Sequence, residues 1–214
     1  ADRKILDYCD LDSRKWTAYA HRAGGLRSAF FELEGRRLAK RELDWLGDFD
    51  AGIVITDAEA ADIGNSPLRR KIHVISNGVS MPPPGPVIPQ TSHPVVGFAG
   101  AMDYPPNVDA GGWFAEEIWP RIRREHTTTR FRIVGRNPAR AVRALATQPG
   151  IDVVGEVENI QDHIRDFRVS VAPLRIARGL QNKVLEAMAA ARPVVLTSAA
   201  ATGLDAADGA HYYI

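Results

Sequence analysis

An amine and a carboxylate three residues apart mark the stretch of this chain best suited to chemistry. In Gly179-Leu180-Gln181-Asn182-Lys183-Val184-Leu185-Glu186, the apolar positions continue to Met188 and Ala189 and predict an amphipathic helix over 180–191. Arg192-Pro193 stops it, and Pro193-Val194-Val195-Leu196-Thr197 follows as a buried strand. Lys183 lies near the helix N-terminus, where its charge and the unpaired backbone N–H groups suit a diphosphate. Glu186, one turn on, is placed to accept from a ribose hydroxyl. Gly179 lets the backbone approach phosphates closely. Gly100 and Gly135 follow predicted strands and have the same rationale, with Arg136 adding positive charge. Arg175 and Arg178 are guanidinium forks able to neutralise a diphosphate, and neither can act as a base.

These residues need a scaffold, and the chain past residue 94 supplies a regular one. Apolar runs at 95–99, 131–134, 151–154, 169–172 and 194–197 predict five strands, with 211–214 as a candidate sixth. Helical patterns separate them at 108–124, 139–147, 160–167 and 180–191. That alternation predicts an open parallel sheet with helices on both faces, binding ligands beyond the carboxyl ends of its strands. Upstream, strands are expected at 4–8, 51–56 and 71–75. Ser13 is expected to cap a helix over 13–22, and Asp57 one over 58–63. A long helix over 26–46 carries the partial stripe Leu26, Phe30, Leu33, Leu38. The proline-dense stretch 81–94 reads as a stiff linker between residues 1–80 and 95–214.

Composition narrows the classes. A hydrophobic content of 45% supports a real core, and a net charge of +1 argues against nucleic acid as a partner. The one cysteine, Cys9, excludes an intramolecular disulfide and fits a reducing compartment. No run of about 18 apolar residues is present to span a membrane. The six histidines show no metal-type spacing, and no Walker A loop or G-x-S-x-G elbow occurs. Trp113 and Trp119 are expected to pack rather than stack on a ligand.

The stretch 179–195 resembles the nucleotide-sugar signature of the group-1 (family 4) retaining glycosyltransferases of the GT-B fold. Gly179, Lys183, Glu186, Ala187, Met188, Ala189, Pro193, Val194 and Val195 carry that resemblance. Residues 98–110 with Trp113-Phe114 look like the strand-loop-helix of the exopolysaccharide-type branch. Asn77-Gly78-Val79 is similar to the family's segment between its two domains, and residues 10–16 also resemble exopolysaccharide sugar transferases.

The resemblance implies a GT-B fold. Residues 95–214 would be a Rossmann-like nucleotide-sugar-binding domain lacking its C-terminal helices, and residues 1–80 the tail of an acceptor-side domain. It implies transfer of a hexosyl group with retention, from a nucleotide-diphosphate sugar to a glycan or lipid-linked acceptor. No metal or other cofactor would take part, and the donor phosphate would assist. It places the protein in the bacterial cytoplasm, at the inner membrane face through the absent part of the first domain. Gly179 and Leu180 would touch the donor. Gly155-Glu156-Val157 matches the segment meeting the base, largely through backbone; a side-chain contact by Glu156 stays open. Arg178 stands where the family's first motif glutamate would be. Asp103-Tyr104 and Asn107 stand where the first loop usually has cations. A nucleotide-sugar epimerase on the same architecture would need an acid/base constellation that the sequence does not display. A non-catalytic nucleotide-binding module is the other alternative.

Overall fold

The computed structural model describes residues 2–64, 66–81, 93–177 and 179–214, with Arg22 by its backbone alone. Of the expected proline linker, 81–94, residues 82–92 lie outside the described residues. The chain forms a mixed α/β protein of two compact units. One takes the described residues up to Asn77 together with Gly179 and Leu180. The other takes those of Gly78–Ala177 and Gln181–Ile214.

The first unit runs β1 (Ile5–Asp7), α1 (Asp12–Arg22), α2 (Gly25–Asp48), β2 (Ala51–Val54), α3 (Asp57–Asp62), a 3-10 turn (Pro67–Lys71) and β3 (Ile72–Val74). Its three strands are parallel in the order β1-β2-β3. The core is small, with Leu46, Val54, Ala60 and Ile72 buried together.

The expected helix caps and stripe need correction here. Ser13 does not cap α1. Leu11 occupies the cap position, and Ser13 Oγ donates to Glu42 Oε2 at 2.6 Å. Thr56, not Asp57, caps α3, accepting from Glu59 N at 3.2 Å. The stripe on α2 is also different: Leu26 is 91% exposed, while Gly35, Glu42 and Leu46 are buried. Close packing of α1 on α2 selects a residue without a side chain. A Cβ on Gly35 would meet Thr17 Oγ1 at 3.1 Å and Ser13 O at 3.2 Å. Buried Glu42 is satisfied by the Ser13 N–H and hydroxyl.

The second unit contains β4 (Val95–Ala99), α4 (Pro105–Trp113), a π turn (Phe114–Ile118), α5 (Trp119–Glu125), β5 (Arg130–Val134), α6 (Arg140–Ala144), β6 (Ile151–Gly155), α7 (Ile160–Asp166), β7 (Val169–Ala172), α8 (Asn182–Ala189), β8 (Val194–Leu196) and α9 (Ser198–Ala201). The five strands are parallel in the order β6-β5-β4-β7-β8. Central β4 is buried on both faces, and its core includes Phe98, Phe131, Ile133 and Phe167. Gly97 is where Phe167 enters: a Cβ there would lie 2.1 Å from the ring. The expected sixth strand is reduced to isolated bridges: Tyr212 pairs with Asp208, and Tyr213 pairs with Val195, donating to Val194 O and accepting from Leu196 N. The expected helix over 108–124 is two helices, α4 and α5, on either side of a π turn. Trp119 packs on Phe131 with its indole N–H on Pro149 O, as a core residue should.

Candidate functional site

Strand order fixes where a ligand can sit in the second unit. β5 and β6 lie on one side of β4, and β7 and β8 on the other. The order in which strands are added therefore reverses between β4 and β7, and the loops leaving these parallel strands diverge there, opening a crevice beyond the carboxyl ends. Helix α4 follows β4, and α8 follows β7. Both present polar side chains to that crevice.

Backbone contacts seal its floor. Gly100 N donates to Val134 O at 3.0 Å and Gly135 N to Gly155 O at 2.8 Å, so the ends of β4, β5 and β6 are tied together. Gly135, at φ +154, is essential to this closeness, because a Cβ there would fall 1.6 Å from Gly100 O. Met102 N donates to Arg136 O at 2.9 Å, which holds the two loops in register. The Arg136 side chain itself is exposed.

Across this floor lies Lys183, in the first turn of α8. Its stem passes over Gly100, its amine donates to Asn107 Oδ1 at 2.5 Å, and it sits 5.4 Å from the Phe98 ring centroid. Burial pushes the amine down from 10.5 to about 8, against an upward pull from Glu186. The same burial raises the Glu186 carboxyl above its ordinary value, opposed by Lys183. The two are thus a part-buried pair on one helix face, one turn apart.

Glu186 also faces a cleft of 570 Å³. Asn159, Gln161, Arg165, Asn182 and Leu185 line it with Glu186, and Gly78, Val79, Ser80 and Met81 flank it. The buried Gln161 Oε1 there has no hydrogen-bond partner among the described residues. These polar side chains on α7 were missed from sequence. Their spacing on a short helix carries no motif, and only the packing of α7 beside α8 brings them to Glu186.

The remaining predicted residues scatter. Glu156 is exposed after β6, and Val157 is half-buried against the core. Gly179 and Leu180 group with the first unit. A Cβ on Gly179 would meet Asp10 Oδ1 at 2.9 Å and Glu59 Oε1 at 3.3 Å, so its tight fit is to these carboxylates. Leu180 lies before the helix, which begins at Asn182. Arg175 forms a two-pronged ion pair with Asp109 and lies 5.7 Å from the Trp113 ring centroid. Arg178 is outside the described residues. Among the described residues, no group of three or more His, Cys, Asp or Glu is placed to hold a metal ion. Nor is any of their helices long and apolar enough to cross a membrane.

Comparison with solved structures finds the same architecture at low sequence identity. Anabaena HepE, solved with UDP and glucose, is 14% identical with a TM-score of 0.64, covering 98% of this chain and 56% of its own. WaaG, a glycosyltransferase involved in lipopolysaccharide biosynthesis, is 16% identical with a TM-score of 0.61, covering 93% of this chain and 60% of its own. A mutant of S. aureus TarM, solved with Fondaparinux, alpha-GlcNAc-glycerol and UDP, is 20% identical with a TM-score of 0.57, covering 75% and 32%. This chain thus spans about a third to three-fifths of the length of these structures. The shared fold is of the GT-B type. No curated protein matches the chain by sequence. The family description "Glycosyl transferases group 1" matches residues 93–212, more than half of the chain and nearly all of the second unit. By that match the chain belongs to the group 1 glycosyl transferases.

Proposed function

We propose that this chain is the donor-side part of a retaining glycosyltransferase. It would take a hexosyl group from a nucleoside-diphosphate sugar and pass it to a glycan or lipid-linked acceptor in bacterial exopolysaccharide assembly. The observation that carries this reading is the Lys183 amine at the switch point of the parallel sheet, beside the N-terminus of α8. A cation and a helix N-terminus converging there suit a diphosphate. Glu186 is one turn further along α8, and it opens onto a cleft large enough for a nucleoside. The UDP present in the solved HepE and TarM structures supports the same class of ligand.

In this reading the bond from the anomeric carbon to the β-phosphate oxygen breaks, and its electron pair stays on that oxygen. Lys183 and the α8 backbone N–H groups stabilise the charge that develops there. The acceptor hydroxyl attacks the face the leaving group vacates, and its proton passes to the departing phosphate. Charge neutralisation falls to the protein, so no metal is called for. The donor pool and a lipid-linked acceptor place the protein in the cytoplasm, at the inner face of the membrane.

The reading is tested by calorimetric titration of the chain with UDP, GDP and ADP and their sugars. Binding of at least one, weakened in Lys183→Met and in Glu186→Ala, is expected. No binding of any nucleoside diphosphate by the folded chain would overturn it.

A further inference from the structure

Asn107 lies in the first turn of α4, and its surroundings give it a task. The side chain is only 4% exposed, and both ends of its amide are committed. Nδ2 donates to Ala101 O at 2.8 Å, anchoring the amide to the loop after β4. Oδ1 accepts from the Lys183 amine at 2.5 Å, across the switch point on α8. The anchor settles which end of the amide faces the lysine, because the carbonyl of Ala101 can only accept. Gly100 leaves room for this arrangement: a Cβ there would press on Asn107 Nδ2 at 3.0 Å.

We propose that Asn107 is a positioning residue, whose anchored carbonyl holds the Lys183 amine, charged and aimed, at the point where a diphosphate would enter. The assignment rests on the donor-site reading for its purpose but not for its geometry. A neutral acceptor is suited to the task. A carboxylate in its place would hold the amine more firmly, but would repel an incoming diphosphate. An apolar residue would leave the amine desolvated with one fewer acceptor, and would leave Ala101 O with the Tyr104 N–H alone. Among the described residues, the charged group that acts on the amine is Glu186, on the same helix. Asn107 faces it from α4, the Phe98 ring from β4, and Gly100 from the following loop, and none of these three titrates. Loss of the Asn107 acceptor therefore shows directly in the protonation of Lys183. Burial has already lowered the amine to about 8, so changes in its partners alter the fraction charged at mildly alkaline pH.

The test is an NMR titration of the Lys183 side chain in the full nucleotide-free chain, with the resonance identified by its loss in Lys183→Arg. The midpoint is expected to fall in Asn107→Leu and to rise in the nearly isosteric Asn107→Asp, each by about half a pH unit or more. UDP affinity, followed in parallel from neutral to alkaline pH, should begin to decline at a lower pH in Asn107→Leu than in the wild type. Equal midpoints in the wild type and Asn107→Asp would overturn the assignment, even if Asn107→Leu fails to fold. Midpoints in the expected order without binding of UDP, GDP or ADP by the wild type would remove the donor-site reading. They would also overturn the purpose assigned to Asn107, while its hold on the amine stood.

Discussion

At the residue scale, Lys183 couples stability and ligand affinity with opposite signs. Its amine is lowered from 10.5 to about 8 in the fold, so the unfolded chain binds the proton more tightly. Between those values the unfolded state carries more protons, and stability rises with pH. Below about 8 the fold bears the full cost of a desolvated charge, about 3 kcal/mol by the size of the shift. Lys183→Met should therefore raise the melting temperature at neutral pH while weakening nucleotide affinity about tenfold or more. Differential scanning calorimetry and nucleotide titration of the same variant check both signs. In the wild type, diphosphate affinity should be level between about pH 7, above the second ionisation of the terminal phosphate, and about pH 8, and then fall about tenfold per pH unit. The diphosphate itself is fully ionised across that range and adds no break of its own. Glu186→Ala is expected to cost about 2 kcal/mol of nucleotide affinity, as loss of a charged hydrogen-bond partner, and isothermal titration measures it.

At the element scale, two local features set what the fold tolerates. Thr56 accepts the Glu59 N–H and closes the start of α3, so Thr56→Ala should destabilise the first unit by about 1 kcal/mol in urea unfolding. Gly135 carries the approach of two loops. A methyl group there would be 1.6 Å from Gly100 O on a backbone that resists side chains, so Gly135→Ala should lower the melting temperature sharply and abolish nucleotide binding. Gly112 is the contrast: it lies in helix α4 with nothing within 4 Å of a Cβ. Gly112→Ala should be neutral or stabilising by up to about 1 kcal/mol in the same melting experiment. The sequence displayed α8 and its stop well, because amphipathic spacing and Arg192-Pro193 are local signals. It misplaced the apolar stripe of α2, because close packing through Gly35 outweighed the more hydrophobic face of Leu26, Phe30 and Leu33.

At the scale of the whole molecule, the two units differ in how much core they own. The second buries a continuous apolar cluster around Phe98, Phe131 and Phe167, whereas the first has four buried residues in its cluster. Opening free energy follows buried contact, so amide hydrogen exchange should be faster in β1–β3 than in β4, β5 and β7. Leu46→Ala, at a fully buried position of the smaller core, should cost about 2–5 kcal/mol and accelerate exchange in the first unit before the second.

By itself the sequence determined the parallel α/β class and the place of Lys183 and Glu186 on one helix. Strand alternation and helical spacing are local properties that a single chain reveals. Only the tertiary structure decided what meets Lys183. The sheet order β6-β5-β4-β7-β8 carries α4 and α8 to the same crevice, so Asn107 holds an amine 76 residues away. It also committed Arg175 to Asp109 and joined the polar side chains of α7 to Glu186. Partners so distant along the chain are set by packing and strand order, and neither leaves a trace in local spacing.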